Sequence, residues 1–152
     1  MEIERKYLVR SLPDHLESFP SRLIEQGYLS TAPVVRVRKD GNEFYLTYKS
    51  KGLMVREEYN LPLTEDSYNH LLEKSDGNIL TKIRYRIPLE NGLTAELDIF
   101  QGAFLGLVLA EVEFPDEKSA DNFSPPSWFG REVTFSGEYQ NSRLSALLPK
   151  DI

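Results

Sequence analysis

The stretch EIERKYLV, residues 2–9, alternates along its length: Glu2, Glu4 and Lys6 fall on one parity, Ile3, Arg5 and Tyr7 on the other. In a β-strand, residues two apart share a face. Read as a strand, the stretch shows two carboxylates and an ammonium on one side. The pattern returns along the chain. Arg36 and Arg38 share a face in VVRVRKD, with Val35 and Val37 opposite, and Thr47 and Lys49 lie opposite Leu46 and Tyr48. Arg56, Glu58 and Asn60 share a face in MVREEYNLPL, and Lys82, Arg84 and Arg86 alternate with Ile83, Tyr85 and Ile87. Glu96 and Asp98 alternate with Leu97 and Ile99, and Glu111 and Glu113 with Val112 and Phe114.

With SRLIEQGYLS these segments make eight predicted strands, several joined by the short polar turns KDGNE, KSKGL and ENG. Short turns between consecutive strands predict an antiparallel meander or closed barrel. Helices are fewer. TEDSYNHLLEK carries Thr64 as an N-cap and Tyr68, Leu71 and Leu72 as an apolar face. LPDHLESF and PDEKSADNF are short candidates, and GEYQNSRLSALL sets Tyr139, Leu144, Leu147 and Leu148 on one helical face. The paired prolines of NFSPPSWFG predict a loop.

A sheet with one face in water accounts for any one of these strands. It accounts less well for seven, because acid and base segregate by strand. Glu2 with Glu4, Glu96 with Asp98, and Glu111 with Glu113 each put like charges on one face, which a cation relieves. Arg36 with Arg38, and Lys82 with Arg84 and Arg86, pose the mirror problem, which an anion relieves. If amphipathic helices cover the apolar face, the charged faces converge inside the barrel in a wet lumen suited to a metal-bound polyanion. Carboxylates without cysteine or strand histidine favour Mg²⁺ or Mn²⁺. Guanidinium forks on adjacent strands suit a chain of phosphates, and no GxxxxGK phosphate loop is present. The lumen-facing set reads as almost wholly ionic, with the aromatics mainly on the opposite parity.

At 152 residues, with 40% hydrophobic and 28% charged, the chain is expected to form a single domain over 1–152. Its net charge of -6 makes it a poor general binder of nucleic acid. The sequence shows no apolar run of membrane-spanning length and no signal peptide, so a cytoplasmic protein without a membrane partner is expected, as monomer or homodimer.

These residues carry a resemblance. EIERK resembles the ExExK signature of the CYTH superfamily, the triphosphate tunnel metalloenzymes, and the likeness runs in order through IEQGYL, VRVR, LTYK, TKIRYRI, AELDIF, LAEVEF and GREVTFSGEYQNSRLS. The resemblance implies an α+β fold: an eight-stranded antiparallel β-barrel, or triphosphate tunnel, flanked by amphipathic helices. It implies metal ligands at Glu2, Glu4, Glu111 and Glu113 with Asp98 nearby, and triphosphate contacts at Lys6, Arg36, Arg38, Lys49, Lys82 and Arg84, joined by Arg56, Glu58 and Glu96. Where bacterial members of the family often continue the ExE alternation, this chain has Glu58, Tyr59, Asn60. Glu4, Lys6 and Arg38 are the catalytic candidates, with Glu4 favoured for activating water. The expected activity is metal-dependent hydrolysis of inorganic triphosphate with Mg²⁺ or Mn²⁺. The alternatives are an organic triphosphatase acting on thiamine or nucleoside triphosphate, a class IV adenylyl cyclase, and a non-catalytic polyphosphate-binding module.

Overall fold

The computed structural model describes residues 1–146. All eight predicted strands form: β1 (Glu2–Val9), β2 (Ser21–Thr31), β3 (Val34–Asp40), β4 (Glu43–Lys49), the pair β5 (Val55–Arg56) and β6 (Glu58–Pro62), β7 (Asp76–Pro88), β8 (Thr94–Gln101) and β9 (Val108–Glu113). One more, β10 (Phe129–Glu132), starts at the end of the stretch NFSPPSWFG expected to be a loop and runs past it. Every pairing is antiparallel, in the order β10-β1-β9-β8-β7-β2-β3-β4-β6.

The predicted fifth strand, MVREEYNLPL, breaks at Glu57 because its two halves serve different neighbours. β5 pairs with β1 (Glu2↔Arg56, Ile3↔Val55) while β6 pairs with β4 (Lys49↔Glu58, Thr47↔Asn60). Together they close the sheet into a barrel at the Glu2 end. Further along β1, β10 occupies that edge instead (Tyr7↔Glu132, Val9↔Phe129). Arg5 forks onto Glu132 at 2.7 and 2.6 Å, fixing β10 there from the outer face. Residues 133–142 fill the gap: Lys6 N donates to Thr134 Oγ1 at 2.8 Å, and Lys6 Nζ to the Tyr139 carbonyl at 3.0 Å. The barrel is therefore nearly, not wholly, closed by strands.

Three short helices pack on it. α1 (Glu65–Leu72) starts at Thr64, whose hydroxyl accepts from Ser67 N at 3.1 Å while Ser67 Oγ accepts from Thr64 N at 3.0 Å, a reciprocal capping box. It buries Tyr68 against Phe44, ring centres 5.3 Å apart. α2 (Glu117–Asp121) is capped by Asp116 and buries Ala120. α3 (Asn141–Ala146) packs on β7 and β2; Leu147 and Leu148 of its predicted face lie outside the described residues. The predicted helix LPDHLESF is only a 3-10 turn at Leu16–Ser18, because His15 before it takes a left-handed conformation, φ 57°. Among the described residues no helix is long and apolar enough to cross a membrane.

The outer wall carries the larger core. Ile3, Tyr7, Leu97, Ala110, Val112 and Phe114 pack under Ala120, Phe123, Trp128 and Phe129. This is the apolar parity of the sequence, and its burial leaves the other parity facing inward.

Candidate active site

One cavity inside the barrel gathers the inward charges. It is lined by Lys6, Arg36, Arg38, Lys49, Arg56, Lys82 and Arg84 together with Glu4 and Glu111. Seven cations thus face two carboxylates, and Arg36 on β3 and Arg84 on β7 meet in the same space. Lys82 is wholly buried; Arg36, Arg38, Arg84, Lys6 and Lys49 are nearly so. Arg36 Nε has no hydrogen-bond partner. A buried guanidinium donor without an acceptor is costly, and an anion in the cavity supplies one. A more open groove between residues 88–93 and 115–126 holds no comparable cluster.

Pairings divide the cations. Asp98 is fully buried and both its oxygens are occupied: Arg84 donates from Nε and Nη2, each at 2.8 Å, and Lys82 Nζ lies 2.8 Å away. Burial pushes the Lys82 ammonium down to about 7, and Arg84 and Arg38 push the same way against Asp98. Arg38 is held by neutral groups, its Nε donating to Gln26 Oε1 at 2.8 Å.

The acids divide likewise. Glu111 lies 3.4 Å from Lys6 Nζ and 3.8 Å from Arg84. Burial would raise its carboxyl, but Lys6, Arg84 and Lys82 hold it well below the usual range. Glu4 is raised, first by burial and then by Glu111. Glu2 is pushed up to about 8, by burial, then by the Glu58 carboxyl and Glu4, even though Lys49 sits at 3.0 Å. Glu113, directly across from Glu4 in the β1–β9 register, is raised by burial, Glu58 and Glu96. Glu2, Glu4 and Glu113 are thus driven toward protonation, a cost that a divalent cation held by their oxygens would relieve. Among the described residues no three carboxylates are gathered into a ready cage; Glu2 bridges to Lys49 and Arg56, and Glu4 lies 3.9 Å from Arg56. Taking up a metal means that these carboxylates exchange ammonium and guanidinium partners for it.

Other candidates sit at the rim. Glu58 lies 3.4 Å from Lys49, and Glu96 bridges Arg84 and Arg86. Trp128 packs edge-on against Phe129 in the outer core, away from the cavity.

The expectation of an almost wholly ionic lumen needs correction. Past Lys6, Glu111, Asp98, Lys82 and Arg36, the same parity continues as Leu8, Leu109, Phe100, Leu80 and Val34, and these pack with Tyr28, Phe104 and Leu144 into a second core. Tyr28 lines the cavity, and Lys82 Nζ lies 5.4 Å from the Phe100 ring centre. Each inward face changes character partway along its strand, so one end of the barrel is plugged by apolar side chains. Sequence reasoning also missed Gln26 and Asn141. Gln26 shares parity with Arg38 across the β2–β3 register, the one signal that pointed to it.

Comparison with known proteins agrees with this geometry. The CYTH domain family model matches residues 1–147. The chain is 40% identical over 152 residues to the inorganic triphosphatase of Nitrosomonas europaea, covering 97% of this chain and 99% of that protein. It is 39% identical over 151 residues to the inorganic triphosphatase of Acetivibrio thermocellus, covering 94% and 92%. The crystal structure of the inorganic triphosphatase NE1496 superposes with a TM-score of 0.74 at 37% identity, over 98% of this chain and 97% of that one.

Proposed function

The chain belongs to the CYTH domain family, and on that premise we propose that its tunnel hydrolyses inorganic triphosphate to diphosphate and phosphate with the help of a divalent metal. The observation that carries the reading is the convergence of seven cations on one interior cavity beside carboxylates raised toward protonation. The relatives named inorganic triphosphatase support it.

Arg36, Arg38, Lys49, Arg56, Lys82 and Arg84 bind the phosphate chain, with the guanidinium forks fixing its orientation. Lys6 and Arg38 stabilise charge that shifts onto the leaving diphosphate. Glu4, raised by burial and Glu111, is a stronger base than an ordinary carboxylate and is placed to take a proton. A water oxygen bonds to the terminal phosphorus, the bridging P–O bond breaks with its electrons on the diphosphate, and Glu4 accepts the proton of the attacking water. Glu2, Glu4, Glu111 and Glu113 would hold Mg²⁺ or Mn²⁺, which supplies positive charge at phosphate oxygens and makes bound water more acidic. Asp98, with both oxygens taken, serves to hold Lys82 and Arg84.

The test is product analysis on tripolyphosphate with Mg²⁺, with Mn²⁺ and in excess chelator. One phosphate per diphosphate, lost in chelator, is the expected result. Binding without product, or full activity in chelator, contradicts the reading.

A further inference from the structure

Two buried amides stand where the sequence assigned no role. Gln26 on β2 is fully buried, and Asn141 at the start of α3 is 9% exposed. Asn141 Oδ1 accepts from Lys82 Nζ at 2.9 Å and from Gln26 Nε2 at 3.5 Å. Gln26 Oε1 accepts from Arg38 Nε at 2.8 Å, and Gln26 Nε2 also donates to Tyr28 OH at 3.0 Å. Ammonium and guanidinium groups have only donors to offer. Both amide oxygens must therefore face the cations, which leaves the Gln26 amino group to join the two amides.

Arg84 is handled differently from Arg38: its fork is matched by the Asp98 carboxylate, which also takes Lys82 Nζ at 2.8 Å. A carboxylate orients a cation but also cancels its charge. A neutral oxygen orients it and leaves the charge to act across a cavity of low dielectric. Arg38 and Lys82 repel one another, so each needs acceptors to stay in place. Lys82 has Asp98 and Asn141, while Arg38 has Gln26, whose neutral oxygen leaves its charge to act on a polyanion.

Resting on the triphosphate reading above, we propose that Gln26 and Asn141 are positioning residues, a linked neutral amide pair that aims Arg38 and Lys82 into the tunnel without adding negative charge beside Arg38 or adding to that of Asp98 beside Lys82. Asn141 thereby makes α3 part of the phosphate site as well as its cover.

The test compares wild type with Asn141→Asp, Asn141→Ala and Gln26→Glu, by calorimetric titration with tripolyphosphate, steady-state kinetics with Mg²⁺, and thermal melting. Asn141→Asp and Gln26→Glu keep the acceptor and nearly the volume. They are expected to weaken tripolyphosphate binding and raise KM by roughly 10- to 100-fold, the range for residues that orient a charged site from behind, without lowering the melting midpoint. Asn141→Ala is expected to weaken binding also, by removing one of the two acceptors that orient Lys82. Wild-type binding and KM in both charge-introducing variants would overturn the pair's role, even if Asn141→Ala lowers the melting midpoint through lost packing. A wild-type chain that neither binds nor cleaves tripolyphosphate overturns the triphosphatase reading itself, and this role with it.

Discussion

Glu4 and Glu111 lie inside the barrel on neighbouring strands, yet burial and charge push them in opposite directions. Glu111 is held ionised by Lys6, Arg84 and Lys82, whereas Glu4 is raised by burial and by Glu111 itself. Their replacement by glutamine keeps volume and removes charge. Glu4→Gln and Glu111→Gln are each expected to lower kcat by at least about 100-fold, the scale of one well-placed electrostatic contact, with circular dichroism unchanged. Near-wild-type turnover in both would remove them from the chemistry. Glu2 gives a prediction about stability. Its carboxyl rises from 4.5 to about 8 on folding. Between those values the folded state keeps a proton that the unfolded chain has lost, so this group's contribution is full below pH 4.5 and is lost as pH rises toward 8. Metal-free wild type is therefore expected to lose melting temperature more steeply over that window than Glu2→Gln, and Mg²⁺ to reduce the difference. Parallel melting curves for the two proteins in chelator would contradict it.

At the scale of the element, strand parity was legible because most inward residues on the charged part of a strand are ionised and most outward ones are apolar. Lys82, Arg84 and Arg86 between Ile83, Tyr85 and Ile87 leave little choice of face. Where residues carry no charge the signal fails. Leu80 and Phe100 share parity with Lys82 and Asp98, but an apolar residue on that parity reads equally well as a strand end. Gln26 stands in a strand without an ionised run, and Asn141 reads as one polar residue in a helix; their roles exist only once β2, β7 and α3 meet. β10 was hidden by the prolines before it, since its pairing with β1 is set by a residue far away, Arg5 on Glu132. The junction of α3 with the barrel also depends on a backbone contact. Gly77, at the start of β7, has φ +68°, and a methyl group there would run into the Ser145 carbonyl oxygen. Gly77→Ala combines left-handed strain with that clash and is expected to cost more than about 1 kcal/mol, read as a lower melting temperature. A variant as stable as wild type would show that α3 is not seated against β7 as described.

The whole molecule sets its net charge against its interior. The chain carries -6, yet its cavity is lined by seven cations and two carboxylates. That inversion concentrates positive potential where only a small, highly charged anion can use it. The apolar plug around Leu80, Phe100 and Leu109 closes one end of the barrel, and the cavity offers an organic group no apolar or aromatic contact beyond Tyr28 and Val34. Selectivity for an organic group requires contacts that reward it. The fold and the charged lining were legible in the sequence because both follow from one alternation repeated on seven strands; the plug was not, because it follows from where each strand's inward face changes character. The most direct measurement of the central claim is kcat/KM for tripolyphosphate, ATP and thiamine triphosphate, side by side with saturating Mg²⁺ and again with Mn²⁺. The account predicts the highest value for tripolyphosphate with either metal. An equal or higher value for ATP or thiamine triphosphate, or cyclic AMP as the main product from ATP, would contradict it.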